Sequence, residues 1–476
     1  MKTIKYIFGI SLLLLSALSC NILNRNADKA AAIPDNEAFV RVSEEDPRYF
    51  RLSNGSPYIP VGCNLAAMSD LSCMEHYMEE LHKNGANYAR VWLNSAFLEI
   101  EKEYGKWDET SVTHIDRLLE LAKNYDIKIK MCIESFRKIL PGVNKWDTKA
   151  SYHLSNGGPF TDMEEYISSE KGRKEYLKRV EFLKERYKDN PSIFGWELWN
   201  EMNAVEAGNI EEWNVEMLDT LHKIFPSNLV MQSLGSLDRE SSFGIYKFIN
   251  CLNSNDVLQV HRYIDQGAEL PICGASVDRL SEDAVRHLLN YGQRKPLLLA
   301  ECGAVMPSHS GPHEIYKKDR EGIILHDFLF APFFCGAAGP GHLWHWDHYI
   351  DKMNVWFQIG RFSKAIEGID PDEEHFKPMT NHRHGLRVYT LGGDRHILSW
   401  CRDTASNWQS ELVDGKPAEE LSGLTVELGD VVAGRQIGKV EVYDPWKNSW
   451  TRLAPYSNVR LIPFKRSVII KITLKQ

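Results

Sequence analysis

The sequence IFGWELWNEMN, residues 193–203, decides how this chain folds. Its first seven residues are apolar apart from Glu197, and a short run of this kind indicates a strand buried on both faces, as in a parallel sheet. A polar segment follows at once, with Glu201 four residues after Glu197. Two carboxylates in so short a stretch predict two environments, one inside the protein and one at a rim that a ligand can reach.

The same pattern repeats along the chain, where short apolar runs alternate with amphipathic helical stretches. The predicted strands are residues 58–64, 87–93, 127–133, 193–199, 228–234, 257–263, 296–302 and 342–346. Eight such strand–helix units predict an α/β fold, a (β/α)8 TIM barrel over residues 37–373. The alternative is an open doubly wound sheet, and no glycine-rich phosphate loop follows the first strand to support its nucleotide-binding form.

A different pattern begins near residue 374. Short alternating strands are separated there by Gly, Asp and Asn turns, as in HGLRVYTLGGDRHILSWCRD, and almost no helical pattern remains. This change predicts a small C-terminal antiparallel β-sandwich over residues 374–476.

The N-terminal segment has the pattern of an export signal. In MKTIKYIFGISLLLLSALSC, residues 1–20, two lysines precede an apolar run and small residues lead to Cys20. The ending resembles a bacterial lipoprotein box, which implies lipidation of Cys20, a membrane anchor, and a periplasmic or outer-membrane location. The alternative is a plain signal peptide with a chance cysteine. Residues 21–36 are polar and rich in small residues, which is typical of a flexible linker.

Composition excludes some partners. The net charge is −9 and no basic stripe or block occurs, so we expect no nucleic acid and favour a neutral substrate. Eight cysteines besides Cys20 are scattered through mostly apolar segments without a CxxC pair. Buried free thiols are therefore the expected state.

Polar and aromatic residues end the predicted barrel strands, where barrel enzymes have their active sites. They are Arg90, Trp92, Asn200, Glu201, His261, Tyr263, Glu301, Trp344 and Trp346. Along a regular strand Glu197 would lie about 13 Å deeper than Glu201, at roughly 3.3 Å per residue. We therefore expect Glu201 at the rim, facing Glu301, and Glu197 inside the barrel, where a buried carboxylate needs a partner.

Two carboxyl groups that face each other across a cleft are what glycoside hydrolysis requires. One must be protonated to assist the leaving oxygen, and the other must be ionised. The alternative for each glutamate taken alone is a solvated strand end without a function.

At these residues the sequence resembles the retaining (β/α)8 glycoside hydrolases of clan A, and most closely family 5, the cellulase and mannanase type. The resemblance is carried by IFGWELWNEMN, KPLLLAECG, GANYARVWL, VHRY and HLWHWD. It implies that Glu201 is the acid/base and Glu301 the nucleophile. No cofactor is implied.

The resemblance also implies the roles of the surrounding residues. Asn200 would bond the 2-hydroxyl of the sugar, and Arg90 would orient Glu301. Tyr263 would touch the nucleophile, His261 would line the subsite, and Trp346 would be the stacking platform, since an aromatic face suits the apolar face of a pyranose.

Two features depart from the family pattern. Many members place histidine and asparagine after strand three, whereas this chain has Glu134, Ser135 and Phe136. That difference puts cellulase-type specificity in doubt. Three histidines recur at intervals of three (His342, His345 and His348), and we expect them to line subsites rather than bind metal, because Asp347 alone accompanies them.

These observations predict a retaining enzyme that cleaves a neutral β-linked polysaccharide or oligosaccharide by double displacement, with β-mannan favoured. One alternative is an exo-acting β-glycosidase on short oligosaccharides, with the long loop 137–161 blocking one end of the cleft. Another is a non-catalytic glycan-binding lipoprotein.

Overall fold

The computed structural model describes residues 33–142, 149–383 and 385–475. The predicted signal peptide, Cys20 and most of the predicted linker lie outside these residues. Within the described ranges, no helix is long and apolar enough to cross a membrane. All eight cysteines of the described ranges are free thiols, and six of them are buried, as the sequence predicts.

A small antiparallel sheet precedes the barrel and was not predicted. Its strands are β1 (Val40–Val42), β2 (Phe50–Leu52) and β3 (Pro57–Tyr58). Phe50 and Tyr58 pack on Phe194 near the start of a barrel strand, at ring-centroid distances of 5.2 and 6.2 Å. The sheet therefore covers the end of the barrel opposite the predicted mouth, and the predicted strand 58–64 is divided between this sheet and the barrel.

The barrel strands run parallel in chain order. Five form one ladder: β4 (Gly62–Asn64), β5 (Tyr88–Trp92), β6 (Lys128–Glu134), β7 (Ile193–Trp199) and β8 (Leu229–Met231). Two more, β9 (Leu258–Ile264) and β10 (Leu297–Ala304), pair with each other. These strands are buried on both faces, which is why they appear in the sequence as continuous apolar runs.

The eighth barrel position is an extended segment without a regular strand. Trp344 N–H donates to Cys302 O in β10 at 2.8 Å, and Asn64 N–H in β4 donates to Leu343 O at 3.1 Å. The segment thus closes the ring and confirms the (β/α)8 barrel. The predicted strand 342–346 is wrong in its extent, because a helical turn, Trp346–Asp351, begins at Trp346.

Helices surround the barrel and continue into the C-terminal region. They are α1 (Leu71–Lys83), α2 (Glu109–Tyr125), α3 (Met163–Ser168), α4 (Glu170–Tyr187), α5 (Ile210–Ile224), α6 (Phe243–Cys251), α7 (Val277–Leu289), α8 (Ile323–Phe334), α9 (Phe357–Ala365), α10 (Pro371–Glu374) and α11 (Gly429–Val432).

The helical stretch that precedes β7 is divided into α3 and α4. Ser169 is extended and its hydroxyl accepts a hydrogen bond from Gly172 N–H, so it starts α4 as an N-cap. Gly172 lies so close to Tyr166 that a Cβ atom would fall 1.8 Å from the Tyr166 carbonyl oxygen. The break therefore requires glycine at this position.

The C-terminal region is antiparallel, as predicted. Its strands are β11 (Lys377–Arg383), β12 (Leu386–Gly392), β13 (His396–Asp403), β14 (Thr425–Glu427), β15 (Ile437–Asp444), β16 (Ser449–Leu453), β17 (Asn458–Arg460) and β18 (Ser467–Leu474). Six form one sheet in the order β11-β12-β13-β18-β15-β16, and β14 pairs with β17.

Alternate residues of the six-stranded sheet enter different cores, because side chains on a strand alternate between its faces. Val388 and Cys401 pack into a core with Val426 of β14. Their neighbours Tyr389 and Trp400 join the barrel core instead. The sheet therefore has the small β14–β17 sheet on one face and the barrel helices on the other.

Buried ion pairs connect the barrel helices to the sheet. Arg402 of β13 donates from Nε to Asp327 Oδ1 at 3.0 Å and from Nη2 to Asp327 Oδ2 at 2.8 Å, and both side chains are almost fully buried. Arg387 of β12 makes a similar two-pronged contact with Asp278 of α7. Such pairs fix register and orientation more than they add stability.

We expect Arg402→Met to lower the free energy of unfolding by about 3–5 kcal/mol at pH 8, because it leaves the Asp327 charge buried without its partner. Burial already raises the pKa of Asp327 to about 6 against the attraction of Arg402. A carboxyl whose folded pKa exceeds its unfolded value of about 3.9 loses stability as the pH rises between the two. Removing Arg402 raises the folded pKa further, so the destabilisation should be small at pH 5 and grow toward pH 8.

Urea unfolding at pH 5 and pH 8 measures this difference. Arg395→Met is the matched control, because Arg395 pairs with Glu373 at the surface, where ion pairs contribute about 0–1 kcal/mol. An equal loss for Arg402→Met at both pH values would contradict the prediction.

Candidate active site

The barrel mouth brings together most of the side chains that the sequence singled out. Arg90 lies in β5, His261 and Tyr263 lie in β9, and Glu301 lies in β10. Asn200 and Glu201 directly follow β7. The parallel order of the strands places these positions on neighbouring strand ends.

Glu201 is not part of a strand. Strand β7 ends at Trp199, and Glu201 adopts a left-handed conformation with φ +52° and ψ +54°. This conformation is uncommon for a residue other than glycine and persists where its surroundings hold it. The Ser233 hydroxyl does so here by accepting a hydrogen bond from Glu201 N–H at 3.1 Å. The turn sends the carboxylate of Glu201 toward His261.

The two predicted catalytic carboxylates lie close together. One carboxylate oxygen of Glu201, one of Glu301 and Nδ1 of His261 lie within 4.8 Å of one another. His261 Nδ1 is 3.0 Å from Glu201 Oε1 and 3.4 Å from Glu301 Oε2. The separation suits the retaining reaction, for which the carboxyl groups lie about 5–5.5 Å apart, and is too short for the inverting one.

Arg90 holds Glu301 from inside the barrel. Its side chain is fully buried and donates from Nη1 to Glu301 Oε1 at 2.5 Å, while the Tyr263 hydroxyl donates to Glu301 Oε2 at 2.7 Å. Arg90 Nη2 also donates to Asn200 Oδ1 at 2.7 Å. This contact fixes the amide orientation and directs the Asn200 Nδ2–H2 group away from the arginine.

Glu197 is the buried partner of Arg90, which confirms the prediction of a structural carboxylate inside the barrel. It accepts hydrogen bonds from Arg90 Nε at 2.6 Å and Nη2 at 3.0 Å, and Lys130 Nζ lies 3.3 Å away. Burial by itself would raise the pKa of Glu197, but Arg90 and Lys130 outweigh it and lower that pKa to about 2. Glu197 therefore supplies a fixed negative charge that keeps Arg90 in place.

Arg137 is a member of the site that the sequence reasoning missed. It follows β6, and its guanidinium forms an ion pair with Glu201 Oε2. Burial would raise the pKa of Glu201, but the hydrogen bond with His261 and the charge of Arg137 lower it to about 2. The sequence did contain a signal for Arg137, since it lies three residues after the end of a barrel strand, where rim residues are expected.

Glu134, the residue that departs from the family pattern, is fully buried at the end of β6. Asn94 Nδ2 donates to Glu134 Oε1 at 2.5 Å, and the Tyr152 hydroxyl lies 3.3 Å from Oε2. Burial raises the pKa of Glu134 to about 7. Tyr152 belongs to the long loop predicted at 137–161, so this buried carboxyl attaches the described part of that loop to the barrel.

The tryptophans of the eighth segment differ in exposure. Trp346, the predicted platform, is 2% exposed, whereas Trp344 is partly exposed and its ring lies 4.9 Å from that of Trp92. The rings of Trp344 and Trp346 meet edge to face, with their centroids 5.5 Å apart. The platform role of Trp346 stays a prediction, and Trp344 is the ring more open to a ligand.

The predicted subsite role of the histidine triplet is wrong for His342. Its ring is fully buried, stacks on Tyr88 at 4.1 Å and bonds Pro60 O at 3.1 Å. His345 bonds the Tyr316 hydroxyl at 3.1 Å, and His348 is exposed beside Asp347. The spacing of three carries no common function, because a helical turn begins between them.

Comparison with known proteins agrees with this architecture. The model of the cellulases, glycosyl hydrolase family 5, matches residues 53–327. The chain is 24% identical over 304 residues to a putative mannan endo-1,4-beta-mannosidase 9 of Oryza sativa subsp. japonica, which covers 57% of this chain and 71% of that protein. It is 25% identical over 386 residues to mannan endo-1,4-beta-mannosidase 4 of the same plant, which covers 74% of this chain and 80% of that protein.

Solved structures support the fold. A family 5 glycoside hydrolase from Bacteroides vulgatus superposes with a TM-score of 0.59 at 14% identity, over 93% of this chain and 94% of that chain. Because the family model matches more than half of the sequence, this protein belongs to glycosyl hydrolase family 5 and is a retaining glycoside hydrolase that acts on carbohydrate.

Proposed function

We propose that this enzyme cleaves β-1,4-linked mannan or a closely related neutral β-glycan, with Glu301 as nucleophile and Glu201 as acid/base. The observation that carries the double-displacement mechanism is the carboxylate pair, whose oxygens lie within 4.8 Å with His261 beside both. The relatives named as mannan endo-1,4-beta-mannosidases support mannan as the substrate.

In the first step, a carboxylate oxygen of Glu301 attacks the anomeric carbon while Glu201 gives its proton to the glycosidic oxygen. The bond from the anomeric carbon to the leaving oxygen breaks, and an ester bond to Glu301 forms. Arg90 and Tyr263 hold the two oxygens of Glu301 through separate hydrogen bonds. These two bonds fix the direction of attack.

In the second step, the ionised Glu201 accepts a proton from water, and the hydroxyl oxygen attacks the anomeric carbon. The ester bond breaks, Glu301 leaves as a carboxylate, and the sugar keeps its β configuration. The same residue serves as acid and then as base, which requires that its protonation state changes between the two steps.

Neighbouring groups suit a neutral sugar. The Nδ2–H2 group of Asn200 is free of Arg90 and can donate to the 2-hydroxyl, a contact that strengthens toward the transition state. The aromatic faces of Trp344 and Trp346 suit the apolar face of a pyranose ring. The anion-favouring guanidinium of Arg90 is fully engaged by protein groups.

We also propose that the protein is exported and anchored by a lipid on Cys20. The support is the sequence of residues 1–20. Metabolic labelling with a radioactive fatty acid in a bacterial host tests this proposal. The wild-type protein should carry label and enter the membrane fraction, whereas Cys20→Ser should do neither; label on both would contradict it.

A substrate panel tests the activity. The protein from residue 21 onward is incubated with β-mannan, β-glucan, xylan and galactan, beside Glu301→Gln as the inactive control, and reducing ends and product lengths are recorded. Release from β-mannan by the wild type alone supports the proposal. Mixed product lengths indicate endo cleavage, a single short product indicates the exo-acting alternative, and release from another glycan alone replaces mannan as the substrate.

A further inference from the structure

Arg137 approaches Glu201 from a backbone that is held on both sides. The indole Nε1–H of Trp199 donates to Phe136 O at 3.0 Å, and Glu206 N–H donates to Arg137 O at 2.7 Å. Its side chain is nevertheless 60% exposed, and only its terminal guanidinium meets the carboxylate. A fixed backbone with an exposed, long side chain allows the charged end to move without rearrangement of the loop.

The two oxygens of Glu201 are both engaged. Oε1 lies 3.0 Å from His261 Nδ1, and Oε2 bonds Arg137. Oε1 is turned toward the buried ring of His261, so Oε2 is the oxygen that a leaving group can reach. The guanidinium therefore occupies the position from which Glu201 must give its proton to the glycosidic oxygen.

Arg137 brings a positive charge to Glu201 that does not depend on pH. Among the described residues, the titratable or charged groups around Glu201 are Arg137, Tyr246, His261, Tyr263 and Glu301. Burial keeps both tyrosines neutral by raising their pKa values. A guanidinium stays charged throughout the working pH range and cannot itself supply the proton.

We propose that Arg137 switches the acid/base between its two roles according to whether the leaving-group sugar is bound. In the free enzyme Arg137 holds Glu201 as a carboxylate. A sugar on the leaving side displaces the guanidinium from Oε2, and Arg137 then donates to hydroxyls of that sugar. Glu201 takes up one proton from solvent and becomes the acid for the first step.

Departure of the leaving sugar reverses the exchange. The returning charge of Arg137 favours the carboxylate, whose Oε2 accepts a proton from the attacking water in the second step before the guanidinium bonds that oxygen again. The proton gained from water is released to solvent when the ion pair re-forms, so uptake and release balance over one cycle. The inference rests on the proposed role of Glu201 as acid/base and is independent of which sugar is cleaved.

Carboxyl titration of the ligand-free protein tests the first half of the proposal, namely that Arg137 holds Glu201 as a carboxylate in the free enzyme. Glutamate labelled with ¹³C at the side-chain carboxyl is incorporated into the wild type, Arg137→Met and Lys138→Met, and Glu201→Gln identifies the Glu201 resonance by its loss. Lys138 is the matched control, since this neighbouring exposed cation pairs with Glu206 at 3.2 Å. The Glu201 midpoint should rise by about one pH unit or more in Arg137→Met alone, because a nearby opposite charge lowers a carboxyl pKa by about 1–3 units. An equal midpoint in all three proteins would overturn the proposal.

Kinetics with mannohexaose test the second half of the proposal, namely that a bound sugar displaces Arg137 from Glu201. The alkaline limb of kcat/KM reports the free enzyme, and that of kcat reports the complex. Arg137→Met should move the alkaline limb of kcat/KM to higher pH and leave the alkaline limb of kcat in place. In Arg137→Lys, the kcat/KM limb should lie closer to its wild-type position than in Arg137→Met. Equal movement of both limbs would mean that Arg137 stays on Glu201 in the complex and would overturn its release. If mannohexaose is not cleaved, the mannan proposal fails, and the ligand-free titration still decides the role of Arg137.

Discussion

The Glu301→Gln variant is expected to lose turnover by about 10⁴-fold or more, on the scale seen when a nucleophile is removed. Glutamine keeps the shape of the side chain: its one oxygen can accept from Arg90, and its Nε2–H2 group can donate to the Tyr263 hydroxyl, where the native carboxylate accepts from both. The neutral amide cannot form the ester bond to the anomeric carbon. The loss should therefore appear in kcat, with little change in the binding of substrate.

The matched control is Glu206→Gln, the same substitution at an exposed carboxylate that pairs with Lys138 at the rim. It should keep nearly full activity. Initial rates on soluble β-mannan, together with urea unfolding of each variant, separate a chemical defect from a folding defect. Retention of more than a tenth of the wild-type rate by a purified, folded Glu301→Gln would contradict the assignment of the nucleophile.

The Glu201→Gln variant is expected to lose about 10²–10⁴-fold in kcat/KM on a polysaccharide, the range typical of general acid–base catalysis. A sugar leaving group needs the proton of Glu201, whereas an acidic phenol does not. With a dinitrophenyl glycoside, the first step should therefore proceed at a rate near that of the wild type. The second step should remain slow, because no carboxylate activates the water.

Because the first step is fast and the second is slow, the glycosyl–enzyme intermediate should accumulate. A burst of phenol equal to the enzyme concentration, and a mass increase of one glycosyl unit on the intact protein, are the expected signals. Peptide mapping should place the added mass on Glu301. Equal losses on the polysaccharide and on the phenyl glycoside, without a burst, would contradict the role of Glu201 as acid/base.

The order of the barrel strands and helices was determined by the sequence alone. Strands buried on both faces must be apolar nearly throughout, so their runs are visible without tertiary information. The change to short strands after residue 374 was also visible in the sequence, because Gly, Asp and Asn turns separate them and the helical pattern stops. Arg90, Asn200, His261, Tyr263 and Glu301 could be placed at one mouth because parallel strand ends converge there.

Other features were decided only by the tertiary structure, because they depend on groups far apart in the sequence. The left-handed turn at Glu201 depends on Ser233, and the burial of His342 depends on Tyr88 and Pro60. Arg137 joined the site because the loop after β6 is held by Trp199 and Glu206. A strand's apolar pattern records what its own faces touch, but it does not record which distant charge will meet a carboxylate at the rim. That choice, and with it the protonation state of Glu201, exists only once the barrel has closed.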